Sequence, residues 1–149
     1  MQRRHLLIAA ASYLATRPAF AAGSPTLRVM KSPTCGCCTA WVEQMRQAGL
    51  KAVVQDVDQD TLYALKAQLG ITPDLSGCHT ATIGNYFIEG HVPAEDIRRL
   101  LAEAPEAHGI AVPGMPMGSP GMDIGDEREA YDVVLVLKDG STLVFARHN

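Results

Sequence analysis

The sequence predicts an α/β sandwich, and three observations predict it. A chain of 149 residues has room for one domain and an appendage, but not for a second full domain. Its composition, 47% hydrophobic and 19% charged, is globular and excludes a largely disordered or fibrous chain. From Leu27 onward, short runs of strand character take turns with stretches whose apolar residues recur at helical spacing.

The elements follow in order. Leu27-Arg28-Val29-Met30-Lys31 begins with two-residue alternation and reads as a strand, broken by Ser32-Pro33-Thr34. Trp41, Val42, Met45 and Ala48 share one helical face, and Gly49 supplies the stop. Residues 51–58, with Ala52, Val53, Val54 and Val57, predict a second strand. Asp60-Thr61 is expected to cap a helix carrying Leu62, Leu65 and Leu69, ended by Gly70. Residues 80–83, the turn Gly84-Asn85 and residues 86–89 predict a hairpin. Pro93, tolerated in a first helical turn, leads into a helix with Ile97, Leu100, Leu101 and Ala104 on one face. Glu95 and Asp96 complement its N-terminal dipole. The order β-α-β-α-β-β-α is that of a thioredoxin-like core, four strands with helices on both faces, over residues 27–110.

Flanking segments have other characters. Residues 1–22 carry Arg3-Arg4, a short apolar run from Leu6 to Ala11 and Ala19-Phe20-Ala21, with no acidic residue before Glu43. That is an export signal, residues 1–21, through either the general secretory or the twin-arginine route. The apolar run is far shorter than the roughly 20 residues a membrane span needs. Arg3, Arg4 and Arg17 leave with the signal, taking the formal charge from −3 to −6 for the mature chain. An acidic mature chain argues against nucleic acid as a partner, and no membrane association is expected after cleavage. Residues 112–125 (VPGMPMGSPGMDIG) hold three prolines, four glycines and three methionines. They predict an extended loop, assigned to 111–125. A terminal hairpin packed on the same domain is expected within 130–148, from residues 132–137 and 142–145 around Lys138-Asp139-Gly140-Ser141.

Four cysteines, six methionines and five histidines are many soft or borderline donors for this length. Cys35-Gly36-Cys37-Cys38 opens the first helix, where the dipole favours thiolate. Cys35 and Cys38 form the C-x-x-C of a thiol exchange centre, yet a third thiolate in four residues is more than exchange needs. Mutual repulsion would raise their pKa values unless a soft cation neutralises them. Thioredoxin-like topology would bring Cys78 to this cluster, with His79 as a ligand or an acid/base neighbour. A disulfide from Cys78 to one of the first three cysteines is the alternative in an oxidising compartment. His91 reads equally as a capping or surface residue and as a ligand, whereas His108 and His148 read as surface residues. Met115, Met117 and Met122 lie in the loop as thioether ligands for Cu(I) or as adaptable apolar filler. Met30, Met45 and Trp41 read as core. No phosphate loop, Ser-His-Asp order or zinc-protease motif is present, so hydrolytic readings have no support.

Four separate motifs carry a resemblance. They are Lys31-Ser-Pro-Thr-Cys-Gly-Cys-Cys, Gly77-Cys-His-Thr-Ala, Ile88-Glu-Gly-His-Val-Pro-Ala-Glu-Asp-Ile, and Val112-Pro-Gly-Met-Pro with Gly118-Ser-Pro-Gly-Met. Over residues 27–123 the chain resembles the CopG family of exported metal-binding proteins associated with bacterial copper resistance. The resemblance implies a thioredoxin-like fold, a multinuclear Cu(I) centre held by cysteines, and a periplasmic role in copper handling coupled to thiol or copper redox change. It implies Cys35, Cys37, Cys38 and Cys78 as thiolates and His79 and His91 as imidazoles. Copper-export or copper-oxidising proteins of the periplasm are the partners such a role would have. Three functions are thus weighed: a copper-binding resistance protein that stores or relays Cu(I), with redox cycling making it a copper oxidoreductase; a thiol-disulfide oxidoreductase using Cys35 and Cys38; and a structural four-thiolate zinc site. Zinc would leave the methionine loop and the histidines unexplained.

Overall fold

In a computed structural model that describes residues 25–149, hydrophobic alternation along the strands sorts side chains onto two faces of one mixed sheet. The export signal expected at residues 1–21 lies outside the described residues. The elements run β1 (Leu27–Lys31), α1 (Gly36–Gln47), β2 (Ala52–Asp56), α2 (Gln59–Gln68), β3 (His79–Ile83), β4 (Tyr86–Glu89), α3 (Ala94–Glu103), β5 (Ala107–Ala111), β6 (Tyr131–Leu137) and β7 (Thr142–His148). A short 3-10 turn, Pro73–Leu75, precedes β3. The predicted order β-α-β-α-β-β-α is present from Leu27 to Glu103, and the mixed α/β class is as expected.

The sheet order is β2-β1-β3-β4-β5-β6-β7. β1 runs parallel to β2 and antiparallel to β3, and β4 runs parallel to β5. On one face Ile88, Ile110 and Leu135 stand in register across β4, β5 and β6 and pack with Trp41, Val42 and Met45 of α1 and Ile97 and Leu100 of α3. On the other face Phe87, Ala111 and Val136 pack with Ile71 and Leu75. Among the described residues no helix is long and apolar enough to cross a membrane.

Three expectations are corrected. The pattern gave four core strands and a packed hairpin, but β5 joins them into seven strands, and it takes residue 111 from the expected loop. Its sequence, Ala-His-Gly-Ile-Ala, is short and interrupted by glycine, so its strand character comes from having partners on both sides. The cap of α2 is Asp58, whose side chain accepts from Thr61 N–H at 2.7 Å, not Asp60-Thr61. Pro93 sits one position earlier than expected, as the N-cap of α3.

Ile110 is fully buried at the centre of this sheet, whereas Val144 on the edge strand is half exposed. Ile110→Ala is expected to cost about 2–5 kcal/mol and Val144→Ala less than about 0.5 kcal/mol, both measured by urea unfolding.

Candidate metal centre

Strand pairing gathers the site. β1 and β3 are antiparallel with Lys31 opposite His79, so the chain leaving β1 and the chain entering β3 emerge at the same end of the sheet. The first segment carries Cys35, the N-cap of α1, with Cys37 and Cys38 in its first turn. The second carries Cys78. β4 ends there too, because Glu89 pairs with Thr80, and His91 follows immediately beyond it. Gly90 N–H donates to the His79 carbonyl at 3.1 Å and prolongs that contact. Space is tight: a Cβ on Gly77 would lie 2.6 Å from the Gly90 Cα, and one on Gly90, which has a φ of +70°, would lie 2.5 Å from the Val112 carbonyl oxygen.

The sulfur atoms of Cys35, Cys37, Cys38 and Cys78 all lie within 4.8 Å of one another. Cys78 Sγ is 3.4 Å from Cys38 Sγ and 3.7 Å from Cys37 Sγ, and Cys37 Sγ is 3.5 Å from Cys35 Sγ. Cys35 and Cys38 are joined as a disulfide, and Cys37 and Cys78 are free thiols. The alternative disulfide from Cys78 is therefore not the one formed.

A second group overlaps the first at Cys78. Its sulfur and one ring nitrogen each from His79 and His91 lie within 4.8 Å of one another. His91 Nδ1 is 2.8 Å from the Pro120 carbonyl, which can only accept, so Nδ1 carries the proton. Nε2 is then a lone-pair acceptor 2.9 Å from Cys78 Sγ, and the thiol donates to it. Burial is the main cause that pushes the Cys78 thiol up to about 12, with the neighbouring Cys37 adding to it. His79 is fully buried, its ring 4.3 Å from that of Trp41 and edge-on to that of His91 at 5.1 Å. Burial first, then the charge His91 would carry if protonated and the positive charges of Lys66 and Lys31, hold it well below the ordinary histidine range. Burial likewise lowers His91. Both are thus neutral imidazoles near pH 7, the form that ligates metal. His79 Nδ1 lies 3.7 Å from Cys78 Sγ, and among the described residues its buried Nε2 has no hydrogen-bond partner, an arrangement that costs free energy.

The methionine-rich loop is a strap over this centre. Pro120 supplies the carbonyl to His91, and Gly121 lies against the first turn of α1. Gln44 donates to Asp123 at 3.1 Å and pins the strap from outside. Met122 N–H donates to Ser119 O and Met117 pairs with Glu129, which sets both methionines along the strap half-buried. Met115 is 51% exposed. His108 is exposed as expected, but His148 is not a plain surface residue: its Nε2 is 2.8 Å from Asp96 Oδ2 and its ring stacks on Tyr131. Trp41, read as core, also walls His79, and its indole N–H donates to the Val92 carbonyl at 2.8 Å. The Pro120 carbonyl went unseen in the sequence, since any residue's backbone could have filled that role.

Comparison with known proteins places these features. Residues 75–122 match the family model described as a protein of unknown function, DUF411. A solved structure described as copper resistance protein CopG, form 2, is 40% identical with a TM-score of 0.78, covering 85% of this chain and 99% of its own. Form 1 is 38% identical with a TM-score of 0.77, covering 84% and 98%. No curated protein matches.

Closure of the strap can be tested at two glycines. A Cβ on Gly121 would lie 2.6 Å from the Cys37 carbonyl oxygen and 2.8 Å from the Trp41 nitrogen, whereas Gly125, also at positive φ, meets nothing within 4 Å. Gly121→Ala is expected to destabilise by about 1–3 kcal/mol more than Gly125→Ala, with faster alkylation of Cys37. Urea unfolding and mass-detected alkylation read the two effects.

Proposed function

The chain belongs to the family of the copper resistance protein CopG, and from that membership we propose that it holds copper as Cu(I) in the periplasm for copper resistance. The observation that carries the reading is the convergence of four sulfur atoms within 4.8 Å, with Cys78 shared by a second group containing two imidazoles. Thiolate is a soft donor and favours Cu(I) over harder cations. His79 Nδ1, 3.7 Å from Cys78 Sγ, is the second sign that the donors fit a metal. Cys35, Cys37, Cys38 and Cys78 are the thiolate ligands, and two overlapping donor groups accommodate more than one ion. Met115, Met117 and Met122 add thioether sulfur from the strap. Copper here is cargo, taken up and passed to copper-export or copper-oxidising proteins of the periplasm. An export signal at residues 1–21 delivers the chain there.

Loading depends on redox state. Two of the four sulfurs are bonded to each other in the Cys35–Cys38 disulfide, so an external dithiol must first supply two electrons, leaving as its own disulfide and giving two thiolates, before all four can ligate. His79 and His91 then offer harder donors beside the thiolates, and a shift of copper toward them is how the site would accommodate oxidation to Cu(II).

The same disulfide favours a second reading, thiol-disulfide exchange by Cys35 and Cys38 with metal binding incidental. Cys37 separates the two. The reduced, anaerobic protein is expected to take up more than one Cu(I) per chain. Cys37→Ser and Cys78→Ser should each weaken binding at least tenfold, about 1.4 kcal/mol, and lower the copper content. Competition with a chromophoric Cu(I) chelator and metal analysis measure this. A Cys37→Ser protein that keeps full disulfide-exchange activity, alongside a wild type that takes up no copper, would establish the second reading instead.

A further inference from the structure

The turn that carries Cys78 is held by a buried pair of opposite charges. Lys66 projects from α2 with 4% exposure, and Glu89 from β4 with none. They form an ion pair through Glu89 Oε1. Gly77, the residue before Cys78, has both its backbone polar groups taken by this pair. Its N–H donates to Glu89 Oε1 at 2.7 Å, and its carbonyl accepts from Lys66 Nζ at 3.2 Å. The other carboxylate oxygen, Oε2, accepts from Thr80 Oγ1 at 2.7 Å, two residues past Cys78. The cysteine is therefore bracketed on both sides by one carboxylate.

Stability alone does not account for the arrangement. Burying two charges carries a desolvation penalty that their attraction only partly repays, and apolar pairs of similar volume are often as stable or more so. What the pair offers is direction: hydrogen bonds that fix the two peptide planes flanking Gly77, which apolar packing cannot do. We propose that Lys66 and Glu89 are positioning residues that hold the peptides on either side of Gly77 so that the Cys78 sulfur stays at the thiolate cluster. Neither touches the ligand atoms. The inference rests on reading the sulfur site as a metal centre, and its test has one arm that does not.

Two variants are compared with wild type. Lys66→Met/Glu89→Leu removes both charges and the acceptor, leaving no orphaned buried charge. Lys66→Gln/Glu89→Gln also removes both charges but keeps an acceptor for the Gly77 N–H and a donor for its carbonyl. Thermal unfolding checks that each folds. In the metal-free protein, amide hydrogen exchange at Gly77 should rise at least tenfold in the Leu variant and stay near wild type in the Gln variant. Cu(I) competition should show about 10–100-fold weaker binding in the Leu variant, largely restored in the Gln variant. A folded Leu variant with wild-type exchange at Gly77 overturns the proposal, as does a Gln variant no better than the Leu variant. If neither variant folds, the pair is structural and the proposal fails. A wild type that binds no copper refutes the metal reading, and the exchange arm still decides the positioning role.

Discussion

One antiparallel register governs this molecule. Because Lys31 stands opposite His79, the exit of β1 and the entry of β3 share one end of the sheet. The cysteine motif, which must follow β1 to open α1, then faces whatever precedes β3, and Cys78 occupies that place. A slip of one residue would turn every side chain of β3 to the other face and move His79 away from Trp41. The burial of Ala81 and Ile83 on the α1 side holds the register against such a slip. Core packing and site geometry are thus one constraint.

Around that junction the chain has removed water from a set of polar groups. Desolvation raises the Cys78 thiol and lowers His79 and His91, so all three are neutral in the metal-free, disulfide-bonded form. Ligation by a cation reverses the balance at the thiol, because the thiolate charge is then compensated where water cannot reach it. The strap takes part through its backbone. Pro120 selects the tautomer of His91, and Gly121 approaches α1 more closely than any side chain would permit.

Much of this architecture is legible in the chain itself. β1 and β4 match their sequence ranges, and the Trp41, Val42, Met45 face is the buried face of α1. The stripe of α2 misled in one respect. Leu62 is buried, but the residue one turn on that reaches the interior is Lys66, which polarity alone assigns to solvent. Glu89 closes the hairpin strand at a position where a carboxylate ordinarily faces water, yet it is fully buried. β5 was invisible because five residues with a central glycine carry too weak an alternation to register.

By itself, the sequence determined the order of elements from β1 to α3, the cysteine motif at a helix head, and the two histidines and extended loop downstream. These depend on hydrophobic spacing, helix ends and turn residues, which act over a few neighbouring positions. Only the tertiary structure decided that β5 joins the terminal hairpin to the sheet. It also decided that Cys35 bonds Cys38, that Lys66 meets Glu89, and that the loop folds back onto α1. Most of these are meetings of segments far apart along the chain, and even the local disulfide is one choice among four clustered sulfurs. Such contacts follow from which faces are buried together, and no local pattern encodes that.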